Sequence, residues 1–352
     1  MPEEMKCTLN EIRRDPVLGG WVIIDKINPR VPALHAFDGI KFETENGNGC
    51  PFCPGNEHKT PKEIIAFREE GTQPNTPGWW VRVVPSNNPI LRIEGEDEHI
   101  AVGMYDMVMG AGAHEVIIET PDHHHDLAAV PESQIEKVIW AYRDRIMDLY
   151  KDKRIRYALV FKNKGFMAGA TVAHSHSQLI GLPITPKIIR EELENCKSHY
   201  NKKERCLFCD IMNAERQQEE RVLLTSKNFI AFCPYASRFP FEVTIMPLKH
   251  DCDFTRISKD EAIDLGRVLK NILGALNAAL ANPPYNMSLH TSPNRTPRIG
   301  YWITIEDDYH WHFEIIPRLQ RVAGFEIGTS FYYNPTPPEL AANILKQFIK
   351  KD

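Results

Sequence analysis

No stretch of about 18 consecutive apolar residues occurs in the 352-residue sequence, so no membrane-spanning helix is expected. Nor is there a long basic run: 42 Lys and Arg against 47 Asp and Glu leave a net charge of −5. That balance argues against nucleic acid or an acidic membrane surface as partner. The opening MPEEMKCTLNEIRRDP lacks the apolar stretch of a secretory signal. A soluble, cytoplasmic protein is the expectation. Eight cysteines would form disulfides in a short secreted chain, but in a long chain of this kind they point to metal. Four stand in Cys-x-x-Cys pairs, Cys50/Cys53 and Cys206/Cys209, whereas Cys7, Cys196, Cys233 and Cys252 read as ordinary thiols.

Short strands alternate with a few long helices. Residues 20–24, 80–84, 115–119 and 157–162 are rich in β-branched and aromatic side chains and read as strands. Further strands are expected near 221–232, 241–246, 285–290, 301–305 and 311–316. Apolar residues at helical spacing predict helices over 131–151, 186–203, 259–281 and 337–350. Ser258 and Glu261 are placed for a capping box at the third.

The two halves repeat one another. HEVIIETPDH (114–123) lines up with FEVTIMPLKH (241–250), and YALVFKN (157–163) with YNMSLHT (285–291). Each half opens on Cys-x-x-Cys and closes on His-x-His, His174/His176 and His310/His312. Ordered matches of this kind imply a duplication. We expect two units, 1–195 and 196–352, each an α+β domain with a mainly antiparallel sheet and helices on one face.

A Cys-x-x-Cys turn aims two sulfurs at one point, and two distant histidines complete a tetrahedral zinc shell. The candidate ligands are Cys50, Cys53, His123 and His174 in the first half. In the second they are Cys206, Cys209, His250 and His310. Among the consecutive His123, His124 and His125, the repeat selects His123; His290 and His312 compete with His310. Four protein ligands leave no open position, so both sites are expected to be structural.

The segment GATVAHSHSQ, 169–178, carries the chemistry. With side chains alternating along a strand, 174, 176 and 178 share a face. If His174 holds metal, the anchored strand presents His176 as a nucleophile. Neutral imidazole attacks phosphorus without a separate base. Gln178 and Thr171 are placed to donate hydrogen bonds to phosphoryl oxygens. In the second half Glu314 takes the place of Gln178, and a carboxylate repels phosphate. That half reads as scaffold.

These motifs resemble the hexose-1-phosphate uridylyltransferase family of the histidine-triad superfamily over nearly the whole chain. RRDPVLGGWVIID (13–25) and CPFCPGNE (50–57) resemble its opening strand and zinc pair. Its Ser-Pro-Asp-His motif falls on TPDH, ending at His123. Its His-Pro-His-x-Gln motif falls on 174–178, which implies a zinc ligand at His174 and the nucleophile at His176. The resemblance also implies phosphate contacts at Asn163, Thr171 and Arg30, nucleoside contacts at Asn87 and Asn88, and a sugar contact at Glu326 across a homodimer interface. The implied activity transfers UMP from UDP-glucose to galactose 1-phosphate through a uridylyl-histidine. Ser175 replaces the usual Pro and Phe325 a Tyr, and His-Ser-His-Ser-Gln also occurs in relatives that resemble adenylate-using phosphorylases. An ADP-glucose phosphorylase with orthophosphate as acceptor is therefore the alternative.

Overall fold

The computed structural model describes residues 9–32, 47, 49–295 and 302–350. Cys7 and the first residue of the strand expected at 301–305 lie outside them. The first half holds β1 (Glu11–Arg14), β2 (Trp21–Ile24), β3 (Ile65–Arg68), β4 (Trp79–Pro85), β5 (His99–Val102) and β6 (Tyr105–Val108). It continues with β7 (Ala113–Ile118), α1 (Glu132–Leu149), β8 (Tyr157–Lys164) and β9 (His176–Leu182). After α2 (Lys187–Lys203) and α3 (Leu207–Gln218) come β10 (Val222–Thr225), β11 (Phe229–Phe232), β12 (Val243–Pro247) and α4 (Lys259–Ala279). The chain ends with β13 (Tyr285–His290), α5 (Ile305–Asp308), β14 (His312–Pro317), α6 (Gly324–Thr329), β15 (Tyr332–Asn334) and α7 (Pro338–Lys346).

Ten strands form one sheet in the order β10-β11-β12-β14-β13-β8-β9-β7-β4-β3. Read from either end, that order is the same set of strands taken from the two repeats. Every pairing in it is antiparallel, and the repeats join where β13 lies against β8. A small sheet, β1-β2-β15, carries a parallel pairing between β15 and β2.

Apolar stripes explain the layering. Ile135, Val138, Ile139, Tyr142, Ile146 and Leu149 bury one face of α1, and α4 buries Leu265, Val268, Leu269, Ile272, Leu273 and Leu276 beside it. Each such side chain taken from water contributes about 1.5–3 kcal/mol. The capping box holds: Ser258 accepts from the Glu261 N–H, and Glu261 accepts from the Ser258 N–H.

Three expectations are corrected. The helices cover both faces, because β11 buries Phe229 and Ala231 toward α1 and α4 but Ile230 and Phe232 toward α2 and α3. In place of a strand at 301–305, residues 302–304 form a turn leading into α5. The repeat alignment slips by one residue along the strands. Gln178 pairs with Phe161 and Val116, while Glu314 pairs with Ser288 and Thr244. Phe161 therefore matches Ser288, and Val116 matches Thr244. Identical tyrosines suggested otherwise, but Tyr157 and Tyr285 lie in different cores, and a slip of one reverses a strand's faces. Among the described residues no helix is long and apolar enough to cross a membrane.

Candidate functional site

Cys50, Cys53, His123 and His174 converge, as do Cys206, Cys209, His250 and His310, with potential ligand atoms of each group within 4.8 Å of one another. The spacing suits zinc. Bonds of about 2.3 Å to sulfur and about 2.0 Å to nitrogen in tetrahedral geometry set neighbouring S and N atoms about 3.5 Å apart. In the first group Nδ1 of His174 stands 3.7 Å from Cys50 Sγ and 3.6 Å from Cys53 Sγ, and His123 Nδ1 is 3.4 Å from Cys53 Sγ. In the second, His250 and His310 place Nδ1 at 3.4 and 3.6 Å from Cys209 Sγ.

The other ring nitrogens of His174 and His310 agree, whereas the buried Nε2 of His123 has no partner. Nε2–H of His174 donates to Thr120 O at 2.7 Å, and Nε2–H of His310 to Pro247 O at 2.9 Å. Each Nδ1 is thereby left as a lone pair facing the sulfurs, the orientation a metal requires. Burial, reinforced by the Cys50 sulfur, pushes the Cys53 thiol up to about 11. A divalent cation between the sulfurs would remove that penalty. A third group, Glu192, His290, His312 and Glu314, also lies within 4.8 Å.

His176 begins β9, and His174 precedes the strand instead of sitting in it. Nδ1–H of His176 donates to the His174 carbonyl at 2.8 Å. That bond fixes the tautomer and leaves the Nε2 lone pair free; the proton position follows from the hydrogen-bond pattern. Burial is the main influence on this ring and lowers its proton affinity below that of ordinary imidazole. Phe52, between the paired cysteines, packs edge-on against His176 at 5.2 Å.

A cleft of about 140 Å³ opens here, lined by residues including Lys162, Asn163, Gly165, His174 and His176. Asn163 accepts from Asn286 of the second half at 2.8 Å. Thr171 is exposed on the approach loop. Asn87 donates to Lys59 O, and Asn88 N–H to Ser86 Oγ, on a loop whose Ile90 N–H donates to His114 Nδ1. His114 must then donate from Nε2 to Gln178 Oε1, 2.8 Å away. That contact occupies Gln178 Oε1 and leaves its amide N–H groups to donate elsewhere.

Of the expected substrate contacts only Asn163 lines this cleft beside His176; Gln178, Thr171, Asn87, Asn88, Arg30 and Glu326 do not. Arg30 lies near Asp25, and its backbone N–H bonds Pro335 O; Glu326 caps α6 by accepting from Ala323 N–H. His114, Phe52, Glu119 and Lys162 were not singled out from sequence. Only Phe52 left a signal there, because its repeat mate Phe208 also stands between paired cysteines.

In the second half Nδ1–H of His312 likewise donates to the His310 carbonyl, at 3.1 Å. Phe208 lies over its ring at 4.6 Å, and Arg238 binds Glu314 at 2.9 Å. A cavity of about 370 Å³ adjoins them. Its Arg238 and Arg221 are already paired with Glu242, Glu314 and Glu215. They are not free to receive phosphate.

The sequence matches the N-terminal domain of galactose-1-phosphate uridyl transferase over residues 2–186 and the C-terminal domain over 192–343. It is 33% identical to an ADP-glucose phosphorylase of Arabidopsis thaliana, covering 96% of this chain and 92% of the other. Identity to a galactose-1-phosphate uridylyltransferase of Thermotoga maritima is 27%, over 96% of this chain and 98% of the other. The crystal structure of an Arabidopsis thaliana ADP-glucose phosphorylase with bound ADP-glucose superposes with a TM-score of 0.79 at 32% identity, covering 96% of this chain and 99% of that one.

Proposed function

Because the chain belongs to the galactose-1-phosphate uridyl transferase family, we propose that it moves UMP from UDP-glucose to galactose 1-phosphate through an adduct on His176. The observation carrying this reading is the buried His176 ring, whose Nδ1–H is held by the His174 carbonyl and whose Nε2 is free.

In the first half-reaction Nε2 attacks the α-phosphorus of the nucleotide sugar. The P–N bond forms, the P–O bond breaks, and glucose 1-phosphate leaves with the electron pair. In the second, a phosphate oxygen of galactose 1-phosphate attacks the same phosphorus and the P–N bond breaks. The leaving group is already an anion, so no strong general acid is needed. Gln178 and Thr171 donate to the phosphoryl oxygens and Asn163 contacts phosphate, while Arg30, outside the cleft of its own protomer, reaches phosphate only across the dimer. Asn87 and Asn88 hold the nucleoside, and Glu326 binds sugar hydroxyls from the partner subunit of a homodimer.

Zinc held by Cys50, Cys53, His123 and His174, and by Cys206, Cys209, His250 and His310, would supply structural crosslinks. We further read 1–195 and 196–352 as the two repeat domains. The cytoplasm is the inferred location, supported by seven described cysteines that are all free.

The phosphorylase reading is favoured by the 33% identity to an ADP-glucose phosphorylase. The chemistry on His176 is then the same, with AMP carried and orthophosphate accepting it. Intact-protein mass spectrometry after mixing with UDP-glucose or ADP-glucose separates the two. A gain of one UMP mapped to His176 supports uridylyl transfer, and a gain of one AMP the phosphorylase. Substantial exchange by a His176→Ala variant would refute both.

A further inference from the structure

Behind His176, on the sheet face covered by α1, lies a buried polar cluster, bordering the cleft at Lys162 and Ser175, that the transfer chemistry does not consume. Glu119 has no exposed surface and Lys162 is 2% exposed. Glu119 Oε2 accepts from Lys162 Nζ at 2.5 Å and from Ser175 Oγ at 2.6 Å. Its Oε1 accepts from Ser177 Oγ and from Tyr142 OH at 3.1 Å. Lys162 Nζ also donates to Ser175 Oγ at 2.9 Å and to the carbonyl oxygen of His176 itself at 3.2 Å. The Glu119 N–H donates to the Ser175 carbonyl at 3.2 Å.

The two neighbours of the nucleophile are thus tied to one carboxylate. The peptide joining 174 to 175 carries the carbonyl that holds the His176 Nδ1–H, and the peptide joining 176 to 177 is held by Lys162. Stability alone does not explain such a cluster, because well-packed apolar side chains usually serve a core as well as a buried ion pair does. The second half makes that substitution. By strand register Lys162 corresponds to Leu289, Ser175 to Trp311 and Ser177 to Phe313, and all three pack in the apolar core. The half expected to be inert has a hydrocarbon backing; the half that carries His176 has an ionic one.

We propose that Glu119, with Lys162, is the positioning group of the nucleophile, fixing Ser175-His176-Ser177 so that the imidazole meets phosphorus at one angle. The proposal rests on the transfer reading above. Glu119 lies outside the cleft and Lys162 only borders it, with its ammonium turned to Glu119, Ser175 and the His176 carbonyl, so both act through the backbone on either side of His176.

The test is single-turnover mixing with UDP-glucose and with ADP-glucose, following the adduct by intact mass. The Ser175→Ala/Ser177→Ala variant cuts both tethers while leaving the Glu119–Lys162 pair intact. Its rate of adduct formation is expected to fall about 10- to 100-fold, the scale of a small misalignment of reacting atoms, with nucleotide-sugar affinity changed less than about threefold. Adding Glu119→Gln to that variant also takes from Lys162 the carboxylate that aims it at the His176 carbonyl, so the adduct rate should fall further while affinity still changes little. Native-like rates in the serine variant, a loss that appears in affinity instead, or no further loss on adding Glu119→Gln would overturn the proposal. Absence of any adduct in the native protein would overturn the transfer reading and this one with it.

Discussion

Stripping the metal from either cysteine-histidine group should lower thermal stability by a calculable amount. Cys53 and His123 are 70 positions apart, and Cys53 and His174 are 121 apart. A crosslink that closes a loop of that smaller span removes unfolded-chain entropy worth about 4.4 kcal/mol at 25 °C. The relation was framed for disulfides and carries over to zinc when the ion keeps its ligands in the unfolded chain; an ion released on unfolding stabilises by mass action instead. Unfolding entropy of about 2.1 cal/mol/K per residue over the whole chain converts this to a drop in Tm of about 6 °C. The second group closes a loop of 41 positions between Cys209 and His250, for a similar effect. Calorimetry paired with elemental analysis before and after chelation is the assay. Native protein should carry about two zinc ions per chain, and Cys53→Ser or Cys209→Ser about one. Purified protein without metal, or chelation that removes the ions yet leaves Tm unmoved, would refute the reasoning. Cys53→Ser should also slow exchange, because His174 supplies the carbonyl that orients His176.

Three further outcomes are expected. His114→Ala leaves the Gln178 amide free to turn, so adduct formation should slow about tenfold, the worth of one oriented hydrogen bond; an unchanged single-turnover rate would count against the assigned tautomer. Burial lowers the proton affinity of His176, so the reactive neutral ring persists to lower pH than free imidazole. The acid limb of kcat/KM for the nucleotide sugar should fall below pH 6.5, the ordinary imidazole value, and a limb at or above it would contradict that burial. His312→Ala should retain nucleotide exchange at His176 while lowering Tm, and loss of the adduct in that variant would show that the second half shares in the chemistry.

Much of this architecture was legible because it is written in spacing. The cysteine pairs, the His-x-His closures and the apolar stripes of α1 and α4 depend on residue type at fixed intervals. The ligand groups followed from the repeat. What escaped depends on register and on partners distant in sequence. Tyr157 and Tyr285 invited alignment by identity, whereas the hydrogen-bond ladder sets equivalence one position away. Helix α3 hid behind the Cys206/Cys209 motif, which sits on its first turn. Glu119 and Lys162 are 43 positions apart and carry no motif of their own. Only the closing of the sheet over α1 brings them together. Arg30 and Glu326 were named by likeness, and within one protomer they stay beside the small sheet.

The junction of β8 with β13 has a consequence for how the molecule can be divided. The second repeat covers what would be a bare strand border on the first, and it lends Asn286 to steady Asn163. A gene cut between the repeats would release two pieces, each with a row of unsatisfied amides along that border. Either piece would be ready to zip onto a copy of itself. The lone first repeat is thus better pictured as half of a symmetric pair than as a smaller enzyme.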